Sequence, residues 1–454
     1  MVVYNNILAG ASGAGGAAYE ISRSLRFNSG DSSYLSRTPS SAGNQKTWTW
    51  SGWVKRSSLS TGQNIFGSNN LWFELQFNSS DQLQIYWESS GTGSNYLISD
   101  AVYRDPGAWL HIFLKVDTTL STAADRIQVY VNGTLITWSS ASYPSQNYDT
   151  GVNSANPHGI GIRVSGTALV FDGYMADVQL TDGVSGLTAS DFGGFDSKNV
   201  WQPKKYEGTY GQNGYHLDFN DFSSVAALGT DAAGSNNWTP NNFSVTAGAG
   251  NDSLIDTPTN ITADSGNNPG NYATLNPLNA HTSSDTFSDG NLEFTGSSNA
   301  GLSESTIAMS SGKYYFEAVF SGGQGTGQFA GIRKPGSRNY NDSFLYVGTG
   351  NKYINGSTGE SYGATLSNGD VIGTAFDATN GTLIFYKNGV SQGTAYTGIT
   401  GTYAFFVGSF STTPAYIVNF GQRPFAISSI PSGYKSLCTT NLPDPTIADG
   451  STAF

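Results

Sequence analysis

Cleaving a glycosidic bond takes two carboxylates that flank it, one to protonate the leaving oxygen and one to attack or to activate water. In this chain Glu74, Glu88, Glu293, Glu304, Glu317 and Glu360 stand scattered and singly. The four histidines, His111, His158, His216 and His281, show no metal-ligand spacing and no H-E-x-x-H pattern. His111 lies inside a strand-like run and reads as structural. Gly322-Gly323-Gln324-Gly325-Thr326-Gly327 lacks the Lys-Ser/Thr pair and the helix of a phosphate loop, so it reads as a hairpin tip. Cys438 is the single cysteine, so no intramolecular disulfide forms, and no histidine or aspartate beside it marks a nucleophile. No catalytic residue, metal ligand or cofactor is expected. A calcium ion could use the oxygens of Asp100, Asp105, Asp117 and Asp125 near loops, but solvated loop carboxylates are the better reading of them.

Sugar recognition asks for different residues: an aromatic face for the apolar side of a pyranose, with amides and carboxylates for its hydroxyls. The first half of the chain offers Trp87, Tyr96, Trp138, Tyr143 and Tyr148, with Asn95, Gln146 and Asn147 close by in sequence. The composition points the same way. Of 454 residues only 12% are charged, the net charge is −12 and aromatics reach 13%. A phosphate backbone needs clustered Lys and Arg, and the densest basic point here is Lys204-Lys205. A neutral or hydroxyl-rich partner, a polysaccharide or another protein, fits better than nucleic acid. No run reaches the length of a membrane span, and the N-terminus has no basic segment followed by an apolar one, so synthesis without export is expected.

The elements that must position these residues are strands. Thr47–Val54, Leu71–Phe77, Leu83–Trp87, Trp109–Val116 and Ile127–Val131 alternate or run apolar between Gly/Asn/Ser turns. Asn132-Gly133 and Asn388-Gly389 are hairpin signals, since a type I′ turn needs positive φ at both central residues. Residues 186–270 lack this periodicity and read as an ordered connector anchored by Trp201, Tyr215, Phe219 and Trp238. The second half alternates again at Lys313–Phe320, Gly369–Asp377, Gly381–Val390, Tyr403–Gly408 and Tyr416–Gly421.

The strands W-T-W-S-G-W-V-K at 48–55, W-L-H-I-F-L-K-V at 109–116, V-Y-V-N-G at 129–133 and F-D-G-Y-M-A-D-V-Q-L at 171–180 together resemble the laminin-G-like, concanavalin A-like jelly roll. The E-x-D-x-x-E triplet of that fold's laminarinase relatives is missing. G-K-Y-Y-F-E, G-D-V-I-G-T-A-F-D, G-T-L-I-F-Y-K-N-G and V-N-F-G resemble a SPRY (B30.2-like) sandwich. That resemblance places binding loops around Arg338, Asn339, Tyr340, Asn341, Tyr353 and Tyr362. The whole order, with N-N-W-T-P-N-N-F and N-Y-A-T-L-N-P-L between the domains, resembles tail-fibre and virion structural proteins of tailed bacteriophages.

The expected architecture is all-β, two jelly-roll or β-sandwich domains joined by an irregular connector. Residues 1–22 form an N-terminal arm or virion anchor, 23–185 the laminin-G-like domain, 186–270 the connector, 271–425 the SPRY-like sandwich and 426–454 a C-terminal tail. The ending L-P-D-P-T-I-A-D-G-S leads into further domains in similar proteins. The resemblance implies a non-enzymatic tail-fibre or spike subunit on the virion that binds host-surface polysaccharide. A capsid decoration or tail adaptor protein is the alternative, and a polysaccharide depolymerase the third. Avidity from linked weak sites favours a homotrimer, attached to other virion proteins through the small-residue arm, with Ile7 and Leu8 docking in a groove.

Overall fold

The computed structural model describes residues 19–443 except 70–71, 90–92, 165–167, 262–266, 283, 298–300, 323–326, 338–339, 341, 357–358, 411–412 and 428–429. The chain is all-β and forms two compact units, one built from residues up to 246 with 250–259, the other from 260 onward with 247–249.

In the first unit two antiparallel sheets face each other. One runs in the order Thr134–Leu135, Ile127–Val131, Trp109–Asp117, Thr47–Arg56, Gly173–Asp182, Ser24–Phe27 and Ser253–Leu254, with Tyr215–Leu217 paired to the far half of Gly173–Asp182. The other runs Trp138–Ala141, Gly93–Val102, Gln82–Ser89, Phe73–Phe77, Gln63–Ser68, His158–Ile160, Tyr34–Arg37 and Thr239–Asn241. Alternation sends Trp48, Trp50 and Val54 inward from one sheet and Phe73, Leu75, Phe77, Leu83, Ile85 and Trp87 inward from the other. Trp48 meets Phe73 edge-on at 5.1 Å, and Trp50 stacks on Phe66 at 6.2 Å.

Of the aperiodic stretch 186–270, residues up to 246 and 250–259 belong to this unit. Its strands Tyr215–Leu217, Thr239–Asn241 and Ser253–Leu254 extend both sheets, and Trp201, Tyr215, Phe219 and Trp238 are buried. Trp201 covers the outer side of its sheet, donating its Nε1–H to Nδ1 of His111 at 3.1 Å. His111 Nε2 must then carry the proton and donate to Ser51 Oγ at 2.9 Å. The Asn132-Gly133 turn has φ of 48° and 75°, and a Cβ on Gly133 would fall 2.3 Å from the Trp201 ring. Gly133→Ala is therefore expected to destabilise this unit by about 1–3 kcal/mol, from backbone strain plus a ring that must move. An unchanged unfolding midpoint would contradict that packing.

The second unit is also a sandwich. One sheet runs Thr286–Ser288, Glu293–Thr295, Ala415–Asn419, Lys313–Gly322, Val371–Asp377, Thr382–Lys387 and Val390–Tyr396; the other runs Leu302–Met309, Tyr403–Ser409, Gln328–Arg333, Ser343–Val347, Asn351–Ile354 and Glu360–Ser361. Phe316 and Phe405 stack between them at 4.8 Å. The stretch after Phe425, read from sequence as a tail, is part of this unit up to Leu442: Cys438 bridges to Tyr272, and Lys435 to Tyr314. Cys438 is fully buried, and burial pushes its thiol up to about 11, away from reactivity. No helix of the described residues is long and apolar enough to cross a membrane.

Candidate functional site

Each unit carries aromatic side chains on the outward face of one sheet. In the first unit Phe73, Leu75, Leu83, Ile85 and Trp87 point into the core, so Glu74, Gln76, Gln84, Tyr86 and Glu88 point the other way. The register aligns them in a row across the sheet: Tyr96 opposite Tyr86, Tyr86 opposite Glu74, Glu74 opposite Gly67, and Gly67 opposite Gly159. A Cβ at Gly159 would lie 2.5 Å from Val164 Cγ2. The missing side chain lets the segment after Ile160 fold over the sheet face, turning at Gly161 with φ of 82°. That crossing carries Arg163 to Glu74.

Arg163 donates to both oxygens of Glu74, Nε to Oε1 at 2.7 Å and Nη2 to Oε2 at 2.5 Å. Its guanidinium lies 5.2 Å from the Trp72 ring and 5.4 Å from the Tyr86 ring. Tyr86 packs against Trp72 at 5.9 Å and Tyr96 at 5.3 Å, and donates to Glu88 Oε1 at 2.8 Å. Burial raises the Glu74 carboxyl against the pull of Arg163. Tyr96 is 37% exposed and offers its ring to solvent beside this charged and aromatic base. The arrangement can stack a flat apolar face and pair hydroxyls at fixed positions.

Of the five residues singled out in this half, Tyr96 alone takes that outward position. Trp87 lies inside strand Gln82–Ser89, 5% exposed, in the core and donating to the Ser142 carbonyl at 2.8 Å. It offers no face to a ligand, because strand alternation turns it inward. Trp138, Tyr143 and Tyr148 are half-buried against the same core, and Tyr148 meets Trp87 at 5.2 Å and donates to the Glu88 carbonyl. Trp72, Glu74, Tyr86 and Arg163 join Tyr96 on this face without having been expected there from the sequence. The signal for Glu74 and Tyr86 is present in the alternation of F-E-L-Q-F and L-Q-I-Y-W; Trp72 lies just before the first of these strands, and Arg163 has no such signal, because only folding brings its loop over the sheet.

In the second unit Phe405 faces the core, so Phe406 faces outward, and it shares that face with Leu302, Phe329, Leu345 and Val347. Tyr340, Tyr353 and Phe410 cap this outer cluster, half-buried. Phe410 touches Tyr340 at 4.8 Å, Tyr353 at 5.3 Å and Phe329 at 4.9 Å. Beside them Arg333 and Glu304 form a buried pair at 2.7 Å, with Asn279 and the Gly336 N–H also donating to Glu304. Tyr340 and Tyr353 thus come together, around a Phe410 that the sequence did not single out. Tyr362 stands apart, packed on Tyr346 and donating to the Gly393 carbonyl at 2.5 Å. Arg338, Ile7 and Leu8 lie outside the described residues.

The four aspartates considered for calcium do not gather. Asp100 and Asp125 are exposed, Asp105 accepts from the Gly107 N–H, and Asp117 accepts from the N–H and hydroxyl of Thr119. Among the described residues no three His, Cys, Asp or Glu side chains are placed to share a metal. His158 is buried like His111, donating from Nδ1 to the Asn156 carbonyl at 2.7 Å and accepting the Asn153 N–H at Nε2. His216 donates from Nε2 to Asp177, 2.6 Å away.

Residues 28–189 match the model of the concanavalin A-like lectin/glucanases superfamily, and residues 313–423 match that of the SPRY domain. Over 102 residues the chain is 36% identical to the dual specificity protein kinase splA of Dictyostelium discoideum, a stretch that is 21% of this chain and 4% of that protein. Over 141 residues it is 34% identical to the Ran-binding proteins 9/10 homolog of Drosophila melanogaster, 29% of this chain and 14% of that one. The chain therefore spans a small part of the length of these relatives. The SPRY domain of human HERC1 aligns with a TM-score of 0.29 at 22% identity, covering 32% of this chain and 95% of that domain. The chain carries a concanavalin A-like domain and a SPRY domain.

Proposed function

We propose that this chain is a non-enzymatic subunit of a bacteriophage virion, a tail fibre or spike that holds host-surface glycans on the outward sheet face around Tyr96. The observation that carries the glycan reading is the row of Tyr96, Tyr86, Trp72, Arg163, Glu74 and Glu88, an exposed ring next to fixed hydrogen-bonding groups on a concanavalin A-like sandwich. The fibre reading is supported by the order of the domains and the connector motifs. On it, the chain works as a homotrimer held to other virion proteins by its N-terminal arm, and several weak sites act together.

A glycan array of host-envelope polysaccharides, probed with the full chain and with Tyr96→Ala, tests this. Binding by the wild type and a loss of roughly tenfold or more in the variant, the worth of about 1.4 kcal/mol of stacking contact, is the expected result. An array on which the wild type stays blank favours a capsid decoration or tail adaptor protein instead. Glu74 is the carboxylate to test for hydrolysis, because burial raises it and Glu88 lies on the same face. Its oxygens are engaged by Arg163, so no reducing-end release from these polysaccharides is expected. Release that Glu74→Gln abolishes would make the protein a depolymerase.

A further inference from the structure

The basic dipeptide Lys204-Lys205 is not used by either aromatic face. In the fold it borders a cleft of about 450 Å³ in the first unit, lined by Val184, Leu187, Asp191, Lys204, Tyr206 and Thr209 among others. Small-molecule clefts run to roughly 300–1,000 Å³. Local contacts hold the lining in place. Asp191 closes a capping box, its Oδ2 accepting the Thr188 N–H at 2.8 Å and the Thr188 hydroxyl at 3.1 Å. That leaves Oδ1 free to accept. The Lys204 backbone N–H is tied to the Phe192 carbonyl, and its ammonium donates to the Ser190 carbonyl at 3.0 Å. No carboxylate of the described residues pairs with it. Tyr206 is buried, stacked on Phe192 at 4.8 Å, with its hydroxyl donating to the Thr209 carbonyl.

We infer that this cleft is a second saccharide-binding site, selective for neutral sugars. The inference rests on the glycan reading above and extends it to a separate place in the same unit. Lys204 and Lys205 are balanced by Asp191 and Glu207, and Lys205 and Glu207 already pair at 3.3 Å. An anionic polymer gains nothing net from such a lining. A neutral sugar does, because its hydroxyls can accept from the Lys204 ammonium and donate to Asp191 Oδ1, while Val184 and Leu187 cover its C–H surface.

Titration calorimetry on the full chain tests this with neutral trisaccharides of glucose, galactose and mannose, and with a galacturonate trisaccharide. The expected result is two sites per chain for a neutral trisaccharide. Tyr96→Ala should leave one, and Leu187→Trp, which fills the cleft, should leave the other. Lys204→Met should weaken the cleft site roughly tenfold, a change of about 1.4 kcal/mol. Thermal unfolding of each variant checks that the fold is kept. If Leu187→Trp and Lys204→Met change nothing while Tyr96→Ala removes all binding, the cleft inference is overturned and the sheet-face reading stands. If Leu187→Trp removes all binding and Tyr96→Ala none, the cleft stands and the sheet face falls. Binding of the galacturonate and not of the neutral sugars to the cleft overturns the stated selectivity. No binding of any of these sugars overturns both.

Discussion

Taking the full chain from pH 7 to pH 4.5 should lower the unfolding temperature of the first unit by on the order of 10 °C, while that of the second unit moves much less. The cause is His111 and His158, which burial pushes down from 6.5 to about 4, against a small opposing pull from Asp177 on the first and from the Asn156 carbonyl on the second. Protonating His111 would turn its Nδ1 from acceptor of the Trp201 N–H into a donor facing a donor. Protonating His158 would do the same at Nε2 against the Asn153 N–H. Between pH 6.5 and 4 the unfolded chain binds protons that the folded chain refuses. The stability these groups contribute is therefore complete above pH 6.5 and falls as the pH falls. Each is worth roughly 2–3 kcal/mol by pH 4.5, and about 2–4 °C of unfolding temperature goes with each kcal/mol in a unit of this size.

His216 acts in the other window. Burial lowers it, but the hydrogen bond and charge of Asp177 outweigh burial and raise it, so its contribution is present below 6.5 and is lost as the pH rises through its folded value. The second unit holds one histidine, the exposed His281. Calorimetry at stepped pH resolves the two transitions, and His158→Gln should halve the pH dependence of the first. A first transition that stays put from pH 7 to pH 4.5 would refute the assignment of buried, neutral histidines.

Asp256→Ala should destabilise the first unit by about 3–5 kcal/mol, the usual consequence of breaking a buried ion pair from one side. Asp256 Oδ2 lies 2.8 Å from the Lys55 ammonium, both side chains are fully buried, and Oδ1 accepts the Trp109 N–H at 3.1 Å. Removing the carboxylate takes away the partner 2.8 Å from the Lys55 ammonium, which stays buried with the Tyr174 ring 5.5 Å away. The paired change Lys55→Met with Asp256→Leu should cost clearly less than Asp256→Ala alone, because the buried ammonium is removed together with its nearest carboxylate. Urea unfolding of the three variants distinguishes the cases. A loss under about 1 kcal/mol for Asp256→Ala would mean that the segment around it is draped on the domain rather than built into it. Pairing at this strength predicts that the first unit will not fold well if cut at residue 185.

The strands of both units were legible in the sequence because their determinants are local. Alternation of apolar and polar residues gives the period of a strand, and Asn-Gly marks the tight turns at 132–133 and 388–389, both of which have positive φ. For the type of partner, composition sets an expectation: phosphate binding asks for clustered Lys and Arg, and the densest basic point in the sequence is Lys204-Lys205. Which aromatics face outward was not legible for Trp87, Trp138 and Tyr148. A half-buried strand shows the same alternation whichever side is the core, and only the opposing sheet decides the side. The aperiodic stretch from 186 to 270 reads as a connector because its strands are three residues long or shorter; up to residue 259 it is fixed by contacts distant in sequence, such as Asp256 with Lys55 and Trp201 with His111. Arg163 over Glu74, and Phe410 between Tyr340 and Tyr353, likewise join residues far apart in the chain. Local propensity carries no information about such pairs. They exist because two sheets closing on a common core leave particular loops lying across particular faces, and that closure is a property of the tertiary structure alone.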